Sequence, residues 1–587
     1  MKINRVLPLL VLVLFLFNPI VPALASWLAD PEAPDAWTLV APGIEYQKIH
    51  RTSPRHINIF IARMDRGNQN VTIDSSIAQG RLSGGTETVS GMSSRYDQAI
   101  NYWGRTWGNR NRVVVAINGY FFGPTHEPSG VPWSGQIHSS WYAKRYTDIV
   151  GDAGFVWALD REAFIGKCVS HRLERNDITF PGISYDPNIN AINVARSDES
   201  LILYTPQYDS TTRTLESGGT PRAEILVELN RPSLLISDPS YVRGTIRQIR
   251  RNDGSTPIPF DHVVIAAWGA EGDAMVRRIN DGDIEVGNEV RITQEITDCA
   301  VEPQHDWGGV YAGIGGDYHF LRGGAYFAPN NSDATVPNSR TAIALNNSYI
   351  FYVVVDGFDP GVSMGMTIRE LSDWLESSMG ATDAVSLDSG GSSTMVVNGV
   401  VVNNTTCNYT RDCGSGSAEP PLDSTGTPPS QNGAGIEWSP EDVQPFVGNG
   451  MMMVAVEPLR RSSSFQVNQP MTVLQQTSLR LGPGTNYATR LTLNAGAQGT
   501  VQSHSINGVL AKGSYWWKLA IGGSSGWVRE EHLQGGQLPP PADLILGYLP
   551  LIAANMQAGT MLVDPILGGQ TDVLTPSSET SIQELFP

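Results

Sequence analysis

Residues 384–403 read AVSLDSGGSSTMVVNGVVVN, and their order decides how the middle of the chain folds. A short apolar strand, Ala384–Leu387, delivers Asp388 into a loop of serine and glycine. Small residues after a strand end let a ligand approach the backbone closely, and their hydroxyl and N–H groups can hold polar oxygens. Met395–Val397 and Val400–Val402 then flank Asn398-Gly399, the pair that type I′ hairpin turns demand. Working back, Tyr349–Val355 (YIFYVVV) ends at Asp356-Gly357 and predicts a buried strand. Thr367-Ile-Arg-Glu370 is a capping box opening a helix. Ile368, Leu371, Trp374, Leu375 and Met379 recur at helical spacing, so one apolar face lies on the sheet, and Gly380 ends the helix. Strand, helix, strand in this order is a βαβ unit with two parallel strands. Parallel strands finish on one edge, so Asp356 and Asp388 should emerge side by side, where open α/β sheets bind ligands. Capping alone accounts for Thr367 and Glu370, and contact with substrate is the other reading for Glu370.

A third strand end is similar. Val113–Ile117 (VVVAI) hands over to Asn118-Gly119-Tyr120-Phe121-Phe122. This is either an ordinary turn capped by aromatics or a source of an amide ligand and stacking surfaces for a sugar ring. Arg340 precedes another apolar strand start. A fork of donors beside paired carboxylates would suit an anionic substrate, although most arginines are solvated surface charges.

Six motifs in this order resemble the phosphodiester glycosidase family: Asn118–Phe122, Gly313–Asp317, Arg340–Ala342, Asp356-Gly357, Thr367–Leu371 and Leu387–Thr394. The resemblance spans roughly residues 40–456. Ser389 departs from it by replacing the first of three glycines, Ser386 by standing where Asn usually precedes Leu-Asp, and Asp317-Tyr318 by replacing Gly-Pro. The resemblance implies hydrolysis of a sugar-1-phosphodiester, with Asp388 and Asp356 catalytic. It implies substrate binding by Asn118, Arg340, Thr341, Gly390, Gly391, Ser392, Ser393, Thr394 and Glu370. Cleavage at the anomeric carbon passes through an oxocarbenium-like state, which carboxylates stabilise or supply with activated water. Arg340 would neutralise the phosphate, helped by the hydroxyl and N–H groups of Ser392–Thr394.

The remainder of the chain sets the context. Met1–Ala25 carries Lys2 and Arg5, an apolar run from Val6 to Phe17, and Ala23-Leu-Ala25. This is the pattern of a secretory signal peptide, and it predicts a secreted or cell-surface protein with no membrane span after its removal. Four cysteines can pair in that compartment. Cys407 and Cys413 bracket a short loop, which leaves Cys168 and Cys299 as the second pair by subtraction. A net charge of −18 disfavours nucleic acid and anionic membranes, so a phosphodiester must be attracted locally. No Cys/His spacing suggests zinc and no cofactor is expected. Carboxylate, Asn and hydroxyl oxygens would suit a structural calcium ion, but no linear calcium loop is present.

The expected organisation is α+β. A strand-rich, mixed-sheet catalytic domain containing the βαβ unit (26–457) follows the signal peptide (1–25), then a linker (458–470). A small all-β unit (471–535) comes next, and a Pro-rich, partly disordered tail (536–587) closes the chain. In the all-β unit, Leu479–Tyr487, Trp516–Leu519 and Gly526–Val528 resemble a bacterial SH3-like barrel. That resemblance implies binding of cell-wall peptide or polysaccharide, and packing on the catalytic domain is the other reading. Trp516 and Trp517 would alternate between core and surface. The Gly/Ser/Pro-rich loop 414–433 is expected to be flexible, either a lid or an inert insertion. Asn403, Asn404 and Asn408 stand in Asn-x-Thr sequons. Two function classes stay open: a secreted glycosidase acting on phosphate-linked sugars in an envelope polymer or other glycan, and a non-catalytic wall- or polysaccharide-binding protein.

Overall fold

A computed structural model describes residues 36–537, apart from 104–105, 124–129, 147–152, 172–175, 196–200, 217–218, 232–240, 299–304, 328–331, 358–360, 406–412 and 415–443. The signal peptide, nearly all of the tail, the 414–433 loop beyond Gly414, and one cysteine of each expected pair therefore lie outside the described residues. The chain divides into Met1–Gly536 and Gln537–Pro587, and every described strand and helix belongs to the first unit.

Nine elements position the candidate site. They are β1 (Ile57–Asp65), β2 (Thr106–Asn118), β3 (Arg340–Leu345), β4 (Tyr349–Val355), α1 (Ile368–Met379), β5 (Asp383–Ser386), β6 (Met395–Val397), β7 (Val400–Val401) and β8 (Asn449–Glu457). An eight-stranded sheet runs in the order 38–41, 44–51, β1, β4, β3, β5, 319–322, 325–326. Both β4 and β5 pair antiparallel with β3, so they run parallel to each other with β3 between them. The parallel relation expected of a βαβ unit is present, and β3 is the strand inserted into it.

Side-chain alternation along β3 explains why this sheet is buried on both faces. Ile343 and Leu345 join a core shared with Ile117 of β2, Met451 and Met453 of β8, and Phe155, Trp157 and Ile314 of a five-stranded sheet. Ala342 and Ala344 face the other way, beneath Ile368, Leu371, Trp374 and Leu375 of α1. Alanines there let the helix sit close to the sheet. The helix begins with the expected capping box and ends at Gly380, which adopts φ +62°, a left-handed conformation that glycine accepts at little cost.

A second, six-stranded sheet contains β7, β6, β2, β8 and 71–77, with 100–103 paired to β2. The Asn398-Gly399 hairpin forms as expected, with positive φ at both residues. A seven-stranded sheet holds 191–192 and 201–204, which pair in parallel.

Residues 470–535 form an antiparallel sheet of eight strands. The described pairings follow an open path from 489–493 to 533–535, so they do not by themselves establish a barrel. Trp516 and Trp517 do not alternate between core and surface: both are buried. Trp517 enters this unit's own core. Trp516 packs in a cluster that includes Ile100 and Phe260, because the outer face of the strand is itself covered by the larger body.

Candidate active site

The ends of β3, β4 and β5 and the turn after β2 meet at one place. Asp356 follows β4 and Asp388 follows β5, and they are 2% and 1% exposed. One hydrogen-bond network connects them. Asn403 Nδ2 donates to Asp356 Oδ1 (3.2 Å) and to the carbonyl of Ser393 (3.0 Å). The Thr341 hydroxyl lies 3.2 Å from Ser393 Oγ and 2.9 Å from Asn118 Oδ1. Asn118 Nδ2 donates to the carbonyl of Asp388 (2.7 Å), and Ser392 Oγ donates to Asp388 Oδ2 (2.6 Å).

The sequence-expected residues play unequal parts in this arrangement. Asn118 is a positioning residue: beyond its bonds to Asp388 and Thr341, its Oδ1 accepts from Thr394 N–H (3.1 Å). Its amide is thus committed to tying the Asp388 loop to the end of β2. Gly390 adopts φ +74°, and its carbonyl accepts from Ser339 Oγ (2.7 Å), while Ser389, Gly390 and Gly391 form the partly exposed rim of the loop. Ser393 and Thr394 are buried.

Arg340 lies elsewhere. It shares the alternation of Ala342 and Ala344, and its Nε and Nη2 donate to the carbonyls of Met366 (2.9 Å) and Val336 (2.7 Å). Glu370 serves helix α1, accepting from Thr367 N–H (2.9 Å), and pairs with Arg55 (2.5 Å).

Sequence reasoning misses three site residues. Asn403 stands out in the sequence only as a sequon, yet it is 1% exposed and hydrogen-bonded, so the folded chain does not offer it for glycosylation. The signal was its place directly after the hairpin, which returns the chain to the strand ends. Asn404 donates its backbone N–H to Asp356 Oδ1 (3.0 Å). Asn58 accepts the Asp356 N–H through its carbonyl (3.1 Å), a long-range contact with no local signature.

The electrostatics of Asp356 are set by these neighbours. Burial pushes its carboxyl up to about 7, against the opposing pull of hydrogen bonds from Asn403, the Asn404 N–H and Asn58 and of the Lys48 charge. Its Oδ2 is buried and makes no hydrogen bond of ordinary geometry to the described residues. Burial raises the Tyr46 phenol, and Asp356 adds to that shift. Burial likewise raises Tyr120, with Asp317 and then Asp388 contributing. An acid poised near neutrality can exchange a proton at physiological pH.

Residues 247–417 match the phosphodiester glycosidase family model. The match covers under a third of the chain and includes both acids, Arg340 and Asn403. None of the curated proteins matches the sequence. Among solved structures, a hypothetical protein from Synechocystis is 16% identical with a TM-score of 0.43, over 72% of this chain and 64% of that one. This chain thus spans less than two thirds of that protein. The catalytic domain of zebrafish N-acetylglucosamine-1-phosphodiester alpha-N-acetylglucosaminidase, auto-inhibited by its pro-peptide, is 12% identical with a TM-score of 0.31, over 72% of this chain and 85% of that one. At these scores neither likeness bears on fold or activity.

Proposed function

We propose that this chain is a secreted glycosidase that hydrolyses sugar-1-phosphodiester linkages. The observation that carries the reading is the single hydrogen-bonded network joining Asp356 and Asp388 at the ends of two parallel strands. The family match over the same residues supports it. The N-terminal signal pattern supports export, and no helix among the described residues is long and apolar enough to cross a membrane.

In this reading Asp356 is the general base. A carboxyl near 7 is half ionised at neutral pH and takes a proton from water most effectively there. Asp388, oriented by Ser392, stabilises positive charge developing at the anomeric carbon. Phosphate is a weak base, so its departure depends little on an acid. With Arg340 donating to two backbone carbonyls, phosphate contact falls mainly to the Ser389–Gly391 rim, where small side chains leave the backbone approachable and the Gly390 N–H already donates to the Ser339 carbonyl (3.3 Å). Asn118, Thr341, Ser393 and Asn403 hold the two acids in place.

The test is a panel of sugar-1-phosphodiesters, with free sugar and phosphomonoester measured together. Stoichiometric release of both supports the reading. Release of neither from any diester by the folded protein would favour the non-catalytic, glycan-binding alternative.

A further inference from the structure

A cleft of about 920 Å³ opens between the sheet of strands 223–229, 242–251 and 262–267 and the C-terminal sheet. That volume lies at the upper end of the roughly 300–1,000 Å³ typical of ligand sites. Neither carboxylate of the candidate active site lines it.

Its walls are held in place by contacts across the junction. Asp261 Oδ2 meets His504 Nε2 at 2.9 Å, Lys518 Nζ donates to Glu228 at 3.0 Å, and Phe260 packs against Tyr487, His504 and Trp527. The acids in the cleft are already engaged. Glu228 is paired with Arg247 and Lys518, and Asp261 with His262 and His504. Arg480 and Arg490 also line it, and each donates from Nη1 to a backbone carbonyl, of Tyr487 and Ser525 respectively. Among the described residues neither forms an ion pair. Burial lowers both guanidinium pKa values, and for Arg480 the nearby Arg529 adds to this. These are two partly desolvated guanidinium groups without a counter-charge, in a chain whose net charge is −18.

We propose that this cleft binds a stretch of phosphodiester-linked polyol or sugar chain, holding an extended polymer while the separate Asp356–Asp388 site acts on it. Guanidinium forks match phosphate oxygens. The rest of the lining includes Gln248, Asn468, Gln502 and Ser525, amides and hydroxyls suited to a hydroxyl-rich chain. The aromatic rings in the lining, Trp527 and His262, are 2% and 6% exposed, so they offer no platform for stacking nucleobases. The choice of phosphate over other anions rests on the function proposed above.

The test measures binding of a glycerol-phosphate hexamer to the full chain by calorimetry at low salt. This probe has phosphodiesters and hydroxyls but no anomeric bond, so the proposed hydrolysis cannot consume it. Saturable binding is expected, weakened at least tenfold in the Arg480→Gln/Arg490→Gln double variant. Thr500→Trp, on the exposed lip, keeps both arginines and should weaken binding comparably by obstructing the cleft. Absence of binding, or affinities within twofold of wild type in both variants, overturns the proposal. Equal affinity for a galacturonate oligomer of the same charge overturns the phosphodiester assignment. Hydrolysis of small sugar phosphodiesters without hexamer binding removes the cleft and leaves the active site standing. Binding without hydrolysis does the reverse.

Discussion

Asp356 is more easily buried neutral than charged, and this has a consequence for stability. Its folded pKa, about 7, is above the ordinary value of 3.8. Between those values the folded state holds a proton that the unfolded state has released, so stability falls as pH rises. The contribution is fully present below about pH 4 and lost as pH passes through 7. Asp356→Asn should therefore be more stable than wild type at pH 8, by a free energy on the order of a few kcal/mol at most, and the gap should close towards pH 4. Thermal melts across that range check the sign. Asn403→Ala removes the amide between Asp356 and Ser393; a cost of about 1–3 kcal/mol is expected, with kcat falling more than KM changes. Asp388 was legible because it ends a recognisable strand in a recognisable loop. Asn403 was legible only in hindsight, since its partners lie 47 and 10 positions away and nothing local requires an amide there.

The elements around the site were readable to different depths. Helix α1 was clear from its capping box, its apolar spacing and Gly380, all local features. The insertion of β3 between β4 and β5 was not, because strand order depends on pairing between distant segments, which a local pattern does not record. Arg340 shows the same limit: its strand was foreseen, but the side facing Met366 was not. Gly357 is where the elements press closest. A Cβ built there would lie 2.2 Å from the Ser339 backbone nitrogen, so Gly357→Ala must separate β3 from the end of β4. A loss of about 1–3 kcal/mol is expected, with turnover reduced at least tenfold because Asp356 is the neighbouring residue. Denaturation and kcat measurements on the same variant check both.

For the molecule as a whole, local sequence patterns located the C-terminal strands, but not how the C-terminal sheet meets the body. The apolar centre of that junction includes Phe260, which precedes strand 262–267 and is 3% exposed among aromatics of the C-terminal unit. Phe260→Ala should cost about 3–5 kcal/mol, and limited proteolysis should then cut faster within residues 458–470. Neither effect should change the hydrolysis of a small diester, because the candidate site is built from other elements.

The most direct test is the pH dependence of kcat/KM on one hydrolysable sugar-1-phosphodiester, for wild type, Asp356→Asn and Asp388→Asn. Wild type should rise with pH to a plateau above about 7 as Asp356 ionises. Each variant should stay folded and lose roughly 10²–10⁴-fold in rate, with the rise near 7 absent from Asp356→Asn. Wild-type rates in either variant, or an unchanged rise near 7 in Asp356→Asn, would contradict the assignment of chemistry to this pair of acids.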